Sequence, residues 1–220
     1  MSPRPSVSAE PRVVGILLAA GRGERFGGDK LLTKARTTAD PGRPRLTDLD
    51  GECIGVAACR HLLAALPSVI AVVRPGDAAL AAALGAAGAQ IVRCANSDDG
   101  VGASLVCGVT AARDAAGWLV ALADMPWVLP STIRRVAAAI ADGAPVAAPF
   151  HAGRRGHPVG FSAACYEKLA ALSGDEGAKA VVAAYADELA HIDVDDPGTL
   201  LDVDTREDLA AADATMRRSG

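Results

Sequence analysis

The chain has 220 residues, half of them apolar but only 3% aromatic, with 22 Lys and Arg against 26 Asp and Glu and a formal net charge of −4. That length suits one domain with a sizeable core of Ala, Val and Leu, and the acidic balance excludes a broad nucleic-acid surface, which needs a basic excess. The five cysteines, odd in number and without a Cys-x-x-Cys pair, make neither a disulfide framework nor a zinc pattern, and no apolar run reaches about 18 residues, so the expectation is a cytoplasmic chain with no membrane span.

In chain order, residues 1–12 are rich in Pro and Ser and are expected to be a disordered tail, followed by a single domain over residues 13–215. Residues 13–20 form an apolar run that reads as a buried strand. It is not read as a signal-peptide core, because Pro3, Pro5, Glu10 and Pro11 precede it and a glycine-rich basic loop follows at once. Residues 33–52 are polar, carry Pro41, Gly42, Pro44 and Gly51, and read as a long loop of functional or mobile character. Further strands are expected at 69–73, 90–93, 118–123, 145–149 and 189–194, with a short one at 200–203 before a C-terminal helix. Helices are expected at 56–66, 78–87, 103–113, 131–141, 163–171 and 178–186, and a loop rich in Gly, Arg and His at 150–158. This alternation defines an α/β chain with a mostly parallel sheet in three layers. Ligands of such sheets sit beyond the carboxyl ends of the strands, so the loops there carry the chemistry.

The stretch Leu17 to Lys30 leaves the first strand and then packs in four glycines, two arginines and a lysine. Glycine lets a backbone approach an anion and aim N–H groups at it, while Arg22, Arg25 and Lys30 supply positive charge. Phe26 stands where a dinucleotide fingerprint needs its third glycine, and Lys30 is not followed by Ser or Thr as in a P-loop. A phosphate cradle and a plain surface turn are the two readings. Asp124 ends the apolar strand and is followed by Met125-Pro126, which suits a Mg²⁺ ligand; a helix cap is the alternative. Asp202 and Asp204 are two apart, so one of them could complete that metal site, or both could serve capping and solvation. Thr205 with Glu207 and Asp208 reads as a helix start. Asn96 follows a strand, and Gly102 and Ser104 open a helix whose N–H groups could bind a phosphate or a base, or could simply be capped. Gly153 to Val159 groups Arg154, Arg155, Gly156, His157 and Pro158 in a basic loop where His157 is either structural or beside a substrate. No nucleophile elbow is present, so no covalent enzyme intermediate is indicated.

Taken in order, LLAAGRGERFGGDK (17–30), NSDDGVGASLVCG (96–108), LADMP (122–126), GRRGHPVGF (153–161), GDEGAK (174–179) and DVDTREDL (202–209) resemble the molybdenum-cofactor nucleotidyltransferases, the MobA-like NTP transferases, and among them the molybdopterin cytidylyltransferases. The resemblance spans roughly residues 13–212. It implies a three-layer, Rossmann-like nucleotidyltransferase fold and transfer of a nucleoside monophosphate to a molybdopterin phosphate with release of pyrophosphate. By motif position it implies nucleotide contacts from Leu18, Ala19, Ala20, Gly21, Arg22, Gly23, Asn96, Gly102 and Ser104, with Arg25 and Lys30 on the triphosphate. Asp124 and Asp204 would bind Mg²⁺, and Arg155, Gly156, His157 and Pro158 would lie beside the pterin substrate. Leu18-Ala19-Ala20-Gly21 is similar to the cytidine-using members, which implies CTP rather than GTP; a guanylyltransferase, an enzyme using another small phosphorylated acceptor, or a non-catalytic cofactor carrier for a molybdenum hydroxylase are the alternatives. Two features depart from the family pattern: a longer polar stretch after Lys30, and Arg206 where a proline is common.

Overall fold

One apolar strand with a parallel partner on each side organises the molecule. Strand β1 (Val13–Leu18) pairs in parallel with β2 (Val69–Val73) on one edge and β4 (Gly117–Leu122) on the other. β3 (Gln90–Arg93) extends the parallel array beyond β2. The computed structural model describes residues 12–34, 51–175, 177–209 and 211. The expected tail, apart from Arg12, and most of the polar stretch 33–52 lie outside the described residues.

The sheet runs in the order β3-β2-β1-β4-β7-β5-β6, with β8 (Leu189–Asp193) paired to β5 (Val146–His151). β1 to β5 and β8 point one way; β6 (Arg154–Arg155) and β7 (Val159–Ser162) run against them. Helices α1 (Ile54–Leu63), α2 (Ala78–Ala87) and α4 (Pro130–Ala141) cover one face, and α3 (Val101–Ala111), α5 (Tyr166–Ala170) and α6 (Lys179–Ala184) the other. Alternate β1 residues serve the two faces: Leu17 joins the core under α1 and α4, Ile16 the core under α3. The scarcity of aromatics is compensated by close approach. A Cβ added to Gly108 in α3 would fall 2.5 Å from Ile16 Cγ2, so the helix rests directly on the sheet.

Strands at 69–73 and 90–93 and the helix at 78–87 lie where the sequence puts them. Two expectations need correction. Residues 200–203 are not a strand: Pro197–Leu200 is a single 3-10 turn, and the next residues are extended without a ladder partner. The loop expected at 150–158 contains a hairpin. β5 turns into β6 through Ala152 (φ 48°) and Gly153 (φ 75°), both left-handed, as a two-residue hairpin turn requires. Ala152 replaces the usual Asn or Asp there, which hides the turn from a sequence reading. The chain then returns as β7, antiparallel between β4 and β5.

Candidate active site

Because Leu18 of β1 lies opposite Leu122 of β4, the glycine-rich loop and Asp124 leave the sheet side by side. The loop makes a 3-10 turn, Glu24–Phe26, between Gly23 (φ 59°) and Gly27 (φ 73°). Both glycines occupy the left-handed region that a side chain disfavours. Phe26 is buried with Ile54, Ala57, Trp127 and Val203 in a small third core. The Arg206 guanidinium stands 5.0 Å from the Phe26 ring centroid. The two residues that depart from the dinucleotide fingerprint and from the family pattern therefore meet, and pin the loop to the C-terminal segment.

Lys30 Nζ sits 2.8 Å from Asp124 Oδ2 and 3.4 Å from Asp204 Oδ1. Arg25 approaches Asp204 Oδ2 at 2.9 Å from the solvent side. The Val203 N–H donates to the Asp124 carbonyl at 2.9 Å, which brings the two acidic segments together. Of the two candidates it is Asp204 that faces Asp124; Asp202 is exposed. Thr205 and Asp208 form a reciprocal cap: the Asp208 N–H donates to Thr205 Oγ1, and Asp208 Oδ2 accepts from the N–H groups of Thr205 and Asp204. These bonds from Thr205 hold the Asp208 carboxyl below its usual range. Asp124 Oδ1 is buried and has no hydrogen-bond partner. An orphaned carboxylate oxygen beside a second carboxylate is a donor set that fits a hard divalent cation, which takes one or two carboxylates plus phosphate oxygens and water.

A cleft of about 380 Å³ opens beside this cluster. Of the residues expected to bind nucleotide, Leu18, Ala20, Gly21, Arg22, Lys30 and Ser104 line it, together with Asp124. Ala19 is buried behind the wall, and Gly23 faces a smaller cavity toward Arg74 and Asp77. The expectation for the Gly102 N–H needs correction: it donates to the Gly174 carbonyl at 2.9 Å, and the 173–175 segment packs so tightly there that a Cβ on Gly102 would meet it at 2.9 Å. Asn96 also points elsewhere, its Oδ1 lying 3.2 Å from the Cys94 sulfur. Cys94 is joined to Cys107 by a disulfide across 13 residues of sequence, a pairing that cysteine spacing did not disclose. Leu31, Ser97, Asp98, Gly100, Val101, Leu122 and Asp175 complete the lining. Asp98 pairs with Arg22 at 2.9 Å.

Gly156 to Pro158 are held by backbone. Gly156 N–H donates to Pro149 O at 2.8 Å and His157 N–H to Thr199 O at 2.9 Å; a Cβ on Gly156 would fall 2.5 Å from Thr199 O. Arg154 and Arg155 are exposed on the β6 hairpin. The Pro197–Leu200 turn beneath is organised by Asp196, buried at 1% exposure. Its carboxylate accepts from the Leu129 N–H at 2.9 Å, Thr132 Oγ1 at 2.6 Å and the Gly198 N–H at 3.1 Å. Asp196, not Asp124, thus caps α4. Burial lowers the His157 pKa, Arg155 lowers it further, and Asp124 opposes them. Among the described residues no three His, Cys, Asp or Glu side chains form a metal cluster, and no helix is long and apolar enough to cross a membrane.

A mostly parallel α/β sheet with a glycine-rich basic loop and paired carboxylates at its carboxyl edge defines the class as a nucleotidyltransferase-like fold. The model of the MobA-like NTP transferase domain matches residues 15–189, and the chain belongs to that family. Asp204 lies beyond the matched span. The chain is 31% identical to nicotine blue oxidoreductase of Paenarthrobacter nicotinovorans, over 90% of this chain and 95% of that protein. It is 28% identical to purine catabolism protein PucB of Bacillus subtilis, over 90% and 94%. Among solved structures, Rv0371c of Mycobacterium tuberculosis superposes with a TM-score of 0.72 at 26% identity over 91% of this chain and 96% of that one. The manganese complex of Rv0371c superposes at 0.69, with 25% identity over 91% of this chain and 97% of that one.

Proposed function

We propose that this member of the family transfers CMP from CTP to the phosphate of molybdopterin with release of pyrophosphate. The observation that carries the reading is Lys30 Nζ set between Asp124 and Asp204, with Arg25 behind it, at the mouth of the cleft. An oxygen of the acceptor phosphate attacks the α-phosphorus, and the bond to the bridging oxygen of the β-phosphate breaks. No protein nucleophile is needed, so positioning and charge neutralisation account for the rate. Arg22, Arg25 and Lys30 offset the phosphate charge. Asp124 and Asp204 would hold Mg²⁺, which supplies further neutralisation of the triphosphate when bound; the manganese complex of Rv0371c supports a divalent cation in a relative. Val101, the large hydrophobic side chain that the described residues leave exposed, lines the cleft and offers the nucleobase an apolar face. The Gly156–Pro158 segment is the acceptor loop, residues 13–215 act as one domain, and the product passes in the cytoplasm to a molybdenum hydroxylase.

A second reading keeps the nucleotidyl transfer and changes the acceptor. It is favoured by the two relatives, whose names point to different metabolic contexts. One experiment separates these: pure protein with Mg²⁺, each NTP in turn, and molybdopterin, followed by pyrophosphate release and by nicotinamide or flavin oxidation as a control for redox turnover. Pyrophosphate with CTP and molybdopterin supports the first reading. Pyrophosphate only with another NTP or another phosphorylated acceptor replaces it. Tight cofactor binding without any pyrophosphate, unaffected by Asp124→Ala, identifies a carrier instead.

A further inference from the structure

Helix α1 ends beneath the loop that follows Asp124. His61, in its last turn, lines a small cavity with His157 and Pro158, together with the apolar side chains of Leu62, Met125 and Ile133. Nδ1 of His61 and Nδ1 of His157 are both shielded from solvent, and neither has a hydrogen-bond partner. A buried polar atom left unsatisfied bears its full desolvation penalty. Two such atoms at one cavity call for a common partner. The cavity volume is about 10 Å³. One water molecule needs roughly 10–15 Å³ and at least two polar partners, and nothing larger fits. Burial lowers the pKa of both rings, so each is a neutral imidazole with one lone-pair nitrogen.

We propose that a single buried water donates one hydrogen bond to His61 Nδ1 and one to His157 Nδ1, and that His61 thereby acts as a positioning residue for the acceptor loop. Two O–H donors match two ring lone pairs. With Nδ1 accepting, each ring carries its proton on Nε2, and the His157 ring is fixed in orientation with an N–H left to offer. The bridge ties α1, on one face of the sheet, to the loop at its carboxyl edge. The positioning role rests on the reading of Gly156–Pro158 as the acceptor loop; the water does not.

Two measurements test this on the full chain. A high-resolution crystal structure is expected to show one water oxygen about 3 Å from both Nδ1 atoms, and nitrogen NMR of the wild type to show both rings as Nε2–H tautomers. An empty cavity, or an Nδ1–H tautomer on either ring, overturns the bridge whatever the enzyme's substrate. In kinetics, His61→Leu, which keeps the packing and removes the lone pair, is expected to raise KM for the phosphorylated acceptor about 3- to 10-fold, the worth of one hydrogen bond, with kcat and the NTP KM unchanged. His61→Asn, which keeps a polar atom near the Nδ1 position, is expected to recover most of that loss. Equal changes in both KM values, or none, overturn the positioning role.

Discussion

The two sides of the cleft are held by different forces. On the glycine-loop side the contacts are charge pairs: Arg22 with Asp98 and Arg25 with Asp204, which are open to solvent, and Lys30 with Asp124, which is mostly buried. The two solvent-open pairs contribute about 0–1 kcal/mol each and exchange partners readily. On the Gly156–Pro158 side the contacts are backbone hydrogen bonds and a buried carboxylate, Asp196, with three donors. Under the proposed function, the side that takes up and releases a highly charged triphosphate has pairs that break cheaply. Under the same proposal, the side that orients the acceptor has a frame that does not move.

The largest expected effect lies on the exchangeable side and falls on activity. Asp124→Asn keeps the shape of the side chain and removes its charge, so kcat is expected to drop about 10³-fold, while the melting temperature moves by about 3 °C or less. Retained turnover would break the comparison at its centre.

The next falls on stability at the rigid side. Asp196→Ala leaves the Leu129 and Gly198 N–H groups and the Thr132 hydroxyl without their acceptor, which costs about 3 kcal/mol. At about 2–4 °C per kcal/mol for a chain of this size, the melting point falls by about 6–12 °C. A change no larger than that of Asp98→Ala would mean that the two sides do not differ in the way described.

Acid sharpens the same contrast. His61 and His157 have lowered pKa values in the folded state, so the unfolded chain binds protons first as pH falls below about 6.5. Stability is level above that pH and declines below it, by at most about 1.4 kcal/mol per pH unit for each ring, until the folded rings also titrate. Urea midpoints at pH 8 and pH 5.5, in the absence of metal ions, measure this decline, and His61→Leu is expected to lessen it. Stability that rises on acidification contradicts the assignment.

The smallest effect is expected where the two sides join. Thr205→Ala removes the cap that presents Asp204 and costs about 1 kcal/mol, read as a shift of the urea midpoint. Because the cap also fixes the segment carrying Asp204, the concentration of Mg²⁺ needed for half-maximal activity is expected to rise in the same variant; an unchanged requirement separates Asp204 from metal binding.

Much of the glycine-loop side is visible in the chain itself. An apolar run that stops at glycines and basic residues, and another that stops at one aspartate before a proline, are local signals. Parallel α/β topology then places both endings at one edge. The remainder is not local. Asp196 caps α4 from 67 residues away, Cys94 and Cys107 are joined between a strand end and a helix, and β7 inserts in reverse between β4 and β5 after a turn whose left-handed Ala152 carries no sequence signal.

Local signals in the chain were enough for the alternation of strands and helices, the carboxyl edge of the sheet where the loops gather, and the basic and acidic groups available there, because hydrophobic period and strand-ending residues act within a few positions. It took the folded chain to show that Asp204 and not Asp202 meets Asp124, that Lys30 lies between them, that the Gly102 N–H is taken by Gly174, and that His61 shares a cavity with His157. Periodicity assigns a residue to a face; which distant residue it meets on that face depends on strand order and packing, and a single chain of letters does not contain those.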